Sequence, residues 1–195
     1  MTKKIVLTGG PGTGKSSIIL ALENLGEYTI RESAEDYIKL RQAQGQATPW
    51  IEADFQEKIL ELQLQRESRV PREIERVFID RGVADGLAYS EAGTEIYKRT
   101  QEIARETRRV AGIIPHPYLA GITWGEKILP RYDRVYLIEN LGFTEKTEVR
   151  RENQEEAIRL GNKLEQVYKE LGYNPVRIAP GPLNQRVKAI LETLV

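Results

Sequence analysis

A glycine-rich run near the start of the chain ends in a lysine and two hydroxyl residues. It reads Gly9-Gly10-Pro11-Gly12-Thr13-Gly14-Lys15-Ser16-Ser17. Glycines let consecutive backbone N–H groups turn toward one point, because side chains would block the approach and exclude the required dihedral angles. Several such amides beside a lysine ammonium suit an anion with many oxygens. The run therefore predicts a loop that binds a triphosphate.

The spacing within this run predicts individual roles. The P-loop pattern is a glycine, four residues of any type, and then Gly-Lys-Ser or Gly-Lys-Thr, and the run matches it from Gly9 to Ser16. An apolar strand is predicted before the run and a helical segment after it. This context disfavours a chance glycine-rich turn. We expect Lys15 to act catalytically on the β and γ phosphates of ATP or GTP, and Ser16 to bind Mg²⁺. The phosphates are expected to contact the run Gly10, Pro11, Gly12, Thr13, Gly14, Lys15, Ser16 and Ser17.

Asp80 ends the predicted strand 76–80, and Arg81 follows it directly. In an open parallel sheet, ligands bind beyond the carboxyl ends of the strands. Asp80 is therefore a candidate catalytic acid that holds Mg²⁺ through water, and the alternative is a helix N-cap. Arg81 is a candidate clamp for a phosphate or hydroxyl of the acceptor, and the alternative is a surface salt bridge.

Glu32 ends a second apolar segment, residues 28–31, on the same edge of the predicted sheet. A carboxylate there can accept the proton of an attacking hydroxyl group if the geometry brings it close enough. It can equally cap the next helix. Glu32 is therefore a candidate catalytic base with one open alternative.

A polar segment, residues 140–152, contains Lys146, Arg150 and Arg151 and leads into a helix. An arginine that closes over the γ phosphate would stabilise charge and exclude water, which predicts a lid with Arg151 as a catalytic residue. The alternative is a solvated helical face whose arginines pair with nearby glutamates.

Short apolar runs separated by helical patterns predict a doubly wound α/β fold. We expect a three-layer P-loop NTPase with a five-stranded, mostly parallel sheet flanked by helices. Helical stripes around Ile18 and Ile59 should pack on this sheet. Further helices are expected at 151–171, with Gly172 as the C-cap residue, and after Pro182. The predicted strands are residues 3–8, 28–31, 76–80, 134–139 and 175–179.

Residues 111–133 form the least regular stretch, because glycines and prolines interrupt any helix there. Long irregular connections are often functional, so we expect this stretch at the rim of the acceptor site. The single histidine, His116, lies in it between two prolines. A lone loop imidazole is more often structural or exposed than catalytic, and phosphoryl transfer does not need one.

Composition narrows the class of protein. A length of 195 residues predicts a single domain, 1–195. The 29 basic residues equal the 29 acidic ones, so charge favours neither a nucleic acid nor an anionic membrane as partner. The first apolar stretch is too short for a membrane span, and cysteine is absent, which suits the cytoplasm. The oligomeric state stays open.

Beyond these patterns, the chain resembles the NadR-like P-loop kinases, which phosphorylate nicotinamide riboside, and related ATP/GTP-binding domains labelled AAA-type ATPases. The Asp80-Arg81 pair is also similar to the acid–arginine pair of deoxynucleoside and thymidylate kinases. That similarity implies a magnesium role for Asp80 and an acceptor role for Arg81 and Glu32. The resemblance is carried by residues 9–16, Arg31-Glu32-Ser33-Ala34, Phe78-Ile79-Asp80-Arg81-Gly82, Asp85, Ala88-Tyr89, residues 132–137 and residues 168–173.

Two functions follow from these residues. The first is a kinase that transfers the γ-phosphoryl group of ATP or GTP to a small hydroxylated acceptor such as a nucleoside. The second is a nucleotide-dependent switch or binding protein with slow hydrolysis. A DNA or RNA motor is disfavoured by size and balanced charge. A kinase should have a second pocket lined by Glu32, Arg81 and residues 111–133.

Overall fold

The computed structural model describes residues 1–115, 122–141 and 154–194. A parallel sheet of five strands lies at its centre, in the order β2-β3-β1-β6-β7, and all five predicted strands are confirmed. The strands in chain order are β1 (Lys3–Thr8), β2 (Tyr28–Ile30), β3 (Arg76–Asp80), β4 (Thr107–Pro115), β5 (Ile122–Pro130), β6 (Arg134–Ile138) and β7 (Val176–Ile178).

Helices connect these strands and cover both faces of the sheet. The predicted C-cap at Gly172 is confirmed by its positive φ angle of 84°, and the helix after Pro182 is also present. Short 3-10 turns occupy Pro49–Ile51 and Val83–Asp85. The helices are α1 (Lys15–Asn24), α2 (Ser33–Ala43), α3 (Phe55–Ser68), α4 (Gly86–Tyr89), α5 (Glu95–Ala104), α6 (Gln154–Glu170) and α7 (Leu183–Glu192).

The core lies on the two faces of the sheet, because successive side chains of a strand point to opposite sides. In β1, Ile5 and Leu7 pack toward α1 and α7, whereas Val6 packs toward α3 and α6. Apolar side chains on both faces explain why the strands read as nearly continuous apolar runs. The fold is therefore the predicted three-layer α/β P-loop NTPase.

The prediction that residues 111–133 form an irregular stretch is wrong for most of that range. Strands β4 and β5 form a separate antiparallel hairpin in which Gly112 faces Gly125. Glycine pairs opposite glycine here, and Pro115 and Pro130 fall at strand ends, where a missing N–H is tolerated. Residues 116–121, including His116, lie outside the described residues.

In the described ranges, no helix is both long and apolar enough to cross a bilayer.

Candidate active site

The glycine-rich loop joins β1 to α1, and other backbone packs closely against it. A Cβ atom on Gly9 would lie 2.5 Å from the Ile138 carbonyl oxygen, and one on Gly10 would lie 2.3 Å from the Ala157 carbonyl oxygen. Gly9 and Gly14 have φ angles of 142° and 79°, where L side chains are strained. The first two glycines of the run are thus needed for packing against β6 and α6 as well as for phosphate approach.

The amides of this loop lack backbone acceptors. Within the described ranges, the N–H groups of residues 12–16 donate to no backbone carbonyl group, and the first α1 donation runs from Ile18 to the Gly14 oxygen at 3.1 Å. The first amides of a helix have no intrahelical acceptor and carry the positive end of its dipole. The loop and the start of α1 therefore form a nest suited to phosphate oxygens.

Lys15 is only 5% exposed and lies across this loop. Its Nζ atom donates to the carbonyl oxygens of Gly9 at 3.0 Å and Gly10 at 2.9 Å. Burial, followed by the positive charge of Arg81, lowers the pKa of Lys15 to about 8 against the opposing effect of Asp80. A bound triphosphate would stabilise the charged ammonium at this position.

Ser16 and Asp80 meet where α1 begins and β3 ends. The Ser16 hydroxyl group donates to Asp80 Oδ2 at 3.2 Å, and Asp80 Oδ1 is buried without a hydrogen-bond partner among the described residues. Burial raises the pKa of Asp80 to about 6, although Lys15 opposes this shift. A hydroxyl beside a carboxylate with an unsatisfied oxygen fits Mg²⁺, which prefers oxygen ligands and retains several waters.

Arg81 lies at the turn that follows β3, with a left-handed φ angle of 66°. Its Nε atom is 3.0 Å from Glu32 Oε1, and its Nη1 atom is 3.3 Å from Asp85 Oδ1. Burial lowers the pKa of Arg81, but Glu32, Tyr89, Asp85 and Asp80 together outweigh this effect, so the pKa lies well above its usual value. The ion pair with Glu32 is partly exposed, at 12% and 19% for the two side chains, and both residues line the cavity described below; the acceptor role of Arg81 stays a prediction.

Asp85 fixes this arginine, and residue patterns did not assign it a role. Its carboxylate accepts hydrogen bonds from the Thr8 hydroxyl at 2.7 Å, the Gly82 amide at 3.0 Å and the Tyr168 hydroxyl at 2.6 Å. Burial raises the pKa of Tyr168 well above its usual value, and Asp85 adds to the rise. Asp85 thus connects β1 and α6 to Arg81.

A cavity of about 800 Å³ adjoins the loop. One end is formed by residues 11–16, and Glu32 and Arg81 also line it. Both side chains are close enough to Lys15 to alter its pKa. The opposite side, which we call the helical wall, consists of Ile38, Trp50, Phe55, Ile59, Leu60 and Gln63.

This wall corrects one expectation, that the Ile59 stripe packs on the sheet. The wall comes from α2, the turn Pro49–Ile51 and α3. The side chains of residues 109–127 lie outside the described part of the structure, so the place of 111–133 at the acceptor site stays a prediction. Ile59, which we expected to pack on the sheet, lines the cavity instead. The α3 stripe is split: Leu64 packs against the core, Leu60 is buried in the core and also lines the cavity, and Ile59 lines the cavity.

The structure brings most of the predicted site residues together. Pro11, Gly12, Thr13, Gly14, Lys15, Ser16, Glu32 and Arg81 line the cavity, and Asp80 contacts Ser16. Gly10 is buried against α6, and Ser17 is exposed outside the described lining. Arg151 and the proposed lid, apart from residues 140 and 141, lie outside the described residues and stay predictions.

Glu32 is the N-cap residue of α2, but its side chain makes no capping hydrogen bond. Asp80 does not occupy an N-cap either, since the next helical turn begins after Gly82. Neither carboxylate is therefore held in the structural role that the sequence left open. The described residues contain no group of three or more acidic, histidine or cysteine residues that could hold a metal ion.

A family model described as an AAA domain matches residues 4–186. The chain belongs to this AAA domain family. The match includes the glycine-rich loop, Glu32, Asp80 and Arg81, and it confirms the family recognised from the sequence. No curated protein matches the chain.

Solved structures with the same fold include two kinds of protein. One is NadR in complex with NAD and AMP-PNP, with a TM-score of 0.64, 15% identity, and coverage of 98% of this chain and 49% of that chain. Another is deoxyadenosine kinase from M. mycoides with products dCMP and dCDP, with a TM-score of 0.56, 15% identity and 98% coverage of both chains. The AAA domain chain thus has the fold of P-loop kinases and spans about half the length of the NadR chain.

Proposed function

We propose that this protein is a kinase that transfers the γ-phosphoryl group of ATP to a hydroxyl group of a nucleoside-like metabolite. The observation that carries the proposal is the shared cavity: the triphosphate loop, the Glu32–Arg81 pair and the helical wall all line it. A protein that only binds or hydrolyses a nucleotide needs no second chamber beside the phosphates.

The donor end is built for a magnesium–triphosphate complex. The unpaired loop amides and Lys15 bind phosphate oxygens, and Ser16 and Asp80 are suited to hold Mg²⁺. When bound, the metal neutralises charge on the phosphate oxygens. ATP is supported as the donor by the AMP-PNP in the NadR structure and by the dATP in a deoxyadenosine kinase structure.

The helical wall suits an acceptor with one flat, partly apolar portion. Phe55, Ile59 and Leu60 supply apolar surface, and Gln63 adds one buried amide that is held by Ser33 at 2.9 Å. Pockets of this kind use a few fixed polar groups to orient a largely apolar ligand. The NR and dCMP in the related structures support a nucleoside-like acceptor.

Glu32 and Arg81 supply the chemistry at the acceptor hydroxyl. Glu32 accepts the hydroxyl proton as the acceptor oxygen bonds to the γ phosphorus and the bond to the β–γ bridging oxygen breaks, which releases ADP. Arg81 holds Glu32 at 3.0 Å and remains a cation. Its fixed guanidinium can also donate to the acceptor or to the transferred group.

A screen with γ-labelled ATP tests this function. The wild-type protein is incubated with Mg²⁺ and, separately, with nucleosides, deoxynucleosides and pyridine ribosides, and labelled products are separated by chromatography. We expect label in at least one nucleoside monophosphate. Label released only as inorganic phosphate, at a rate that no acceptor changes, would contradict the proposal and favour a switch.

A further inference from the structure

Arg186, on the C-terminal helix α7, lies against the outside of the glycine-rich loop. It is 4% exposed, and its Nη1 atom donates to the Thr13 carbonyl oxygen at 2.8 Å. Its Nη2 atom reaches the Glu139 carbonyl oxygen, just beyond β6, at 3.4 Å. A side chain 173 positions away in sequence thus contacts the phosphate loop directly.

This contact fixes the orientation of one peptide group. A trans peptide is planar, so the carbonyl of Thr13 and the N–H of Gly14 point in opposite directions. Arg186 holds the carbonyl on the outer side of the loop, which directs the Gly14 N–H away from Arg186. That N–H donates to no described backbone carbonyl, and Gly14 lines the cavity.

The loop needs such a restraint because glycine makes this peptide easy to rotate. Gly12 and Gly14 have φ angles of 73° and 79°, and glycine occupies both signs of φ at similar cost. Gly14 also leaves room for the arginine, since a Cβ atom there would lie 3.1 Å from Arg186 Nη1. Gly14 therefore permits the loop conformation and also leaves room for Arg186, whose side chain holds that conformation.

Arg186 is also a buried cation without a compensating carboxylate among the described residues. Its Nε atom is buried without a hydrogen-bond partner there, and burial lowers the pKa of the side chain. A buried charge is costly, and a polyanion bound on the other side of the loop would reduce that cost. The positive charge of Arg186 and its hydrogen bond to the Thr13 carbonyl group thus both favour a polyanion bound at the loop.

Building on the proposed function, we propose that Arg186 is a positioning residue that holds the Thr13–Gly14 peptide with its N–H directed at the bound triphosphate. Arg186 acts through this peptide and does not recognise the purine base. Its contribution is therefore the same for any ligand that carries the triphosphate.

The test compares Mg-ATP with inorganic tripolyphosphate, which has no base. Calorimetric titration of Arg186→Gln should show affinity reduced about tenfold or more for both ligands, because hydrogen bonds that involve a charged group are among the stronger ones. Arg177→Gln is the matched control, since Arg177 binds the Glu139 carboxylate at 2.9 Å and is 52% exposed. It should leave both affinities unchanged.

The orientation of the Thr13–Gly14 peptide can be measured in the absence of any ligand. Crystal structures of wild type and Arg186→Gln, together with the amide NMR signal of Gly14, should show a rotated or mixed Thr13–Gly14 peptide in the variant only. If Arg186→Gln does not fold, Arg186→Lys is measured instead with the same expectation, because lysine lacks the two-pronged fork of donors.

Three results would overturn the inference: unchanged tripolyphosphate affinity, a loss confined to ATP, or a Gly14 amide that keeps its orientation in the variant. If wild type binds neither ligand, the proposed kinase function fails, and the ligand-free peptide orientation alone decides the role of Arg186.

Discussion

The two ends of the cavity are built in different ways. The phosphate end, residues 11–16, is one continuous stretch whose binding groups are mainly backbone amides. The helical wall is made of side chains from α2, the turn Pro49–Ile51 and α3, which are separated in sequence. A backbone site needs a local pattern of glycines, whereas a side-chain site needs the assembled fold. A backbone site of the first kind can therefore serve many enzymes, whereas the second would determine which acceptor the proposed kinase takes.

The largest expected effect lies at the phosphate end. Lys15→Ala removes the buried ammonium group, and the affinity for Mg-ATP should fall on the order of 100-fold or more, because contacts between charged groups are the strongest in such a site. Titration calorimetry measures this, and circular dichroism checks that the variant is folded.

Lys39→Ala is the matched control, because Lys39 also lines the cavity but pairs with Glu35 on α2. It should retain the wild-type affinity for ATP. Equal ATP affinity in Lys15→Ala and wild type would show that the loop does not bind the triphosphate, and the distinction between the two ends would fail.

An intermediate effect is expected at the helical wall. Ile59→Ala removes apolar surface from the acceptor side, and the KM for the acceptor should rise about tenfold while the KM for ATP stays unchanged. Steady-state kinetics with each substrate varied in turn measure the two constants.

Ile51→Ala is the corresponding control, since Ile51 is 73% exposed in the neighbouring turn and does not line the cavity. It should change neither constant. A rise in the KM for ATP in Ile59→Ala, with no change for the acceptor, would assign the helical wall to the donor nucleotide instead.

The smallest effect is the dependence on pH near neutrality. Asp80 gains a proton as the pH falls through about 6, which weakens its interaction with Mg²⁺. Lys15 loses its proton as the pH rises through about 8, which removes a cation from the phosphates. The kcat/KM for Mg-ATP should therefore be level between these values and decline outside them, since this ratio reports the free enzyme.

Asp80→Asn should abolish the decline on the acid side and leave the decline on the basic side. A wild-type profile that is flat from about pH 5 to about pH 9 would contradict both assignments.

The sequence was sufficient for the sheet and for the phosphate end, for a common physical reason. Buried parallel strands need continuous apolar residues, and the loop needs its glycines and lysine at fixed spacing, so both leave a local pattern. Ser16 and Asp80 could also be paired in advance, because parallel strand ends share one edge of the sheet.

The remaining features depend on contacts that leave no local pattern. Arg186 donates to a backbone carbonyl, so no particular partner residue indicates it. The cavity position of Ile59 depends on how α3 is rotated, and helical periodicity alone does not separate the core stripe from the cavity stripe. The β4–β5 hairpin was missed because its glycines and prolines suggested a loop, although glycine faces glycine across the strands.

The two ends meet at Glu32, so one variant of this residue tests the account most directly. Glu32→Gln keeps the shape of the side chain and removes its charge, and Glu35→Gln, which also lines the cavity, is the control. With an acceptor from the screen, Glu32→Gln should reduce the kcat of transfer by about 100-fold or more while retaining the wild-type affinity for Mg-ATP. Glu35→Gln should transfer at the wild-type rate. A Glu32→Gln protein that phosphorylates the acceptor as fast as wild type would contradict the proposed mechanism.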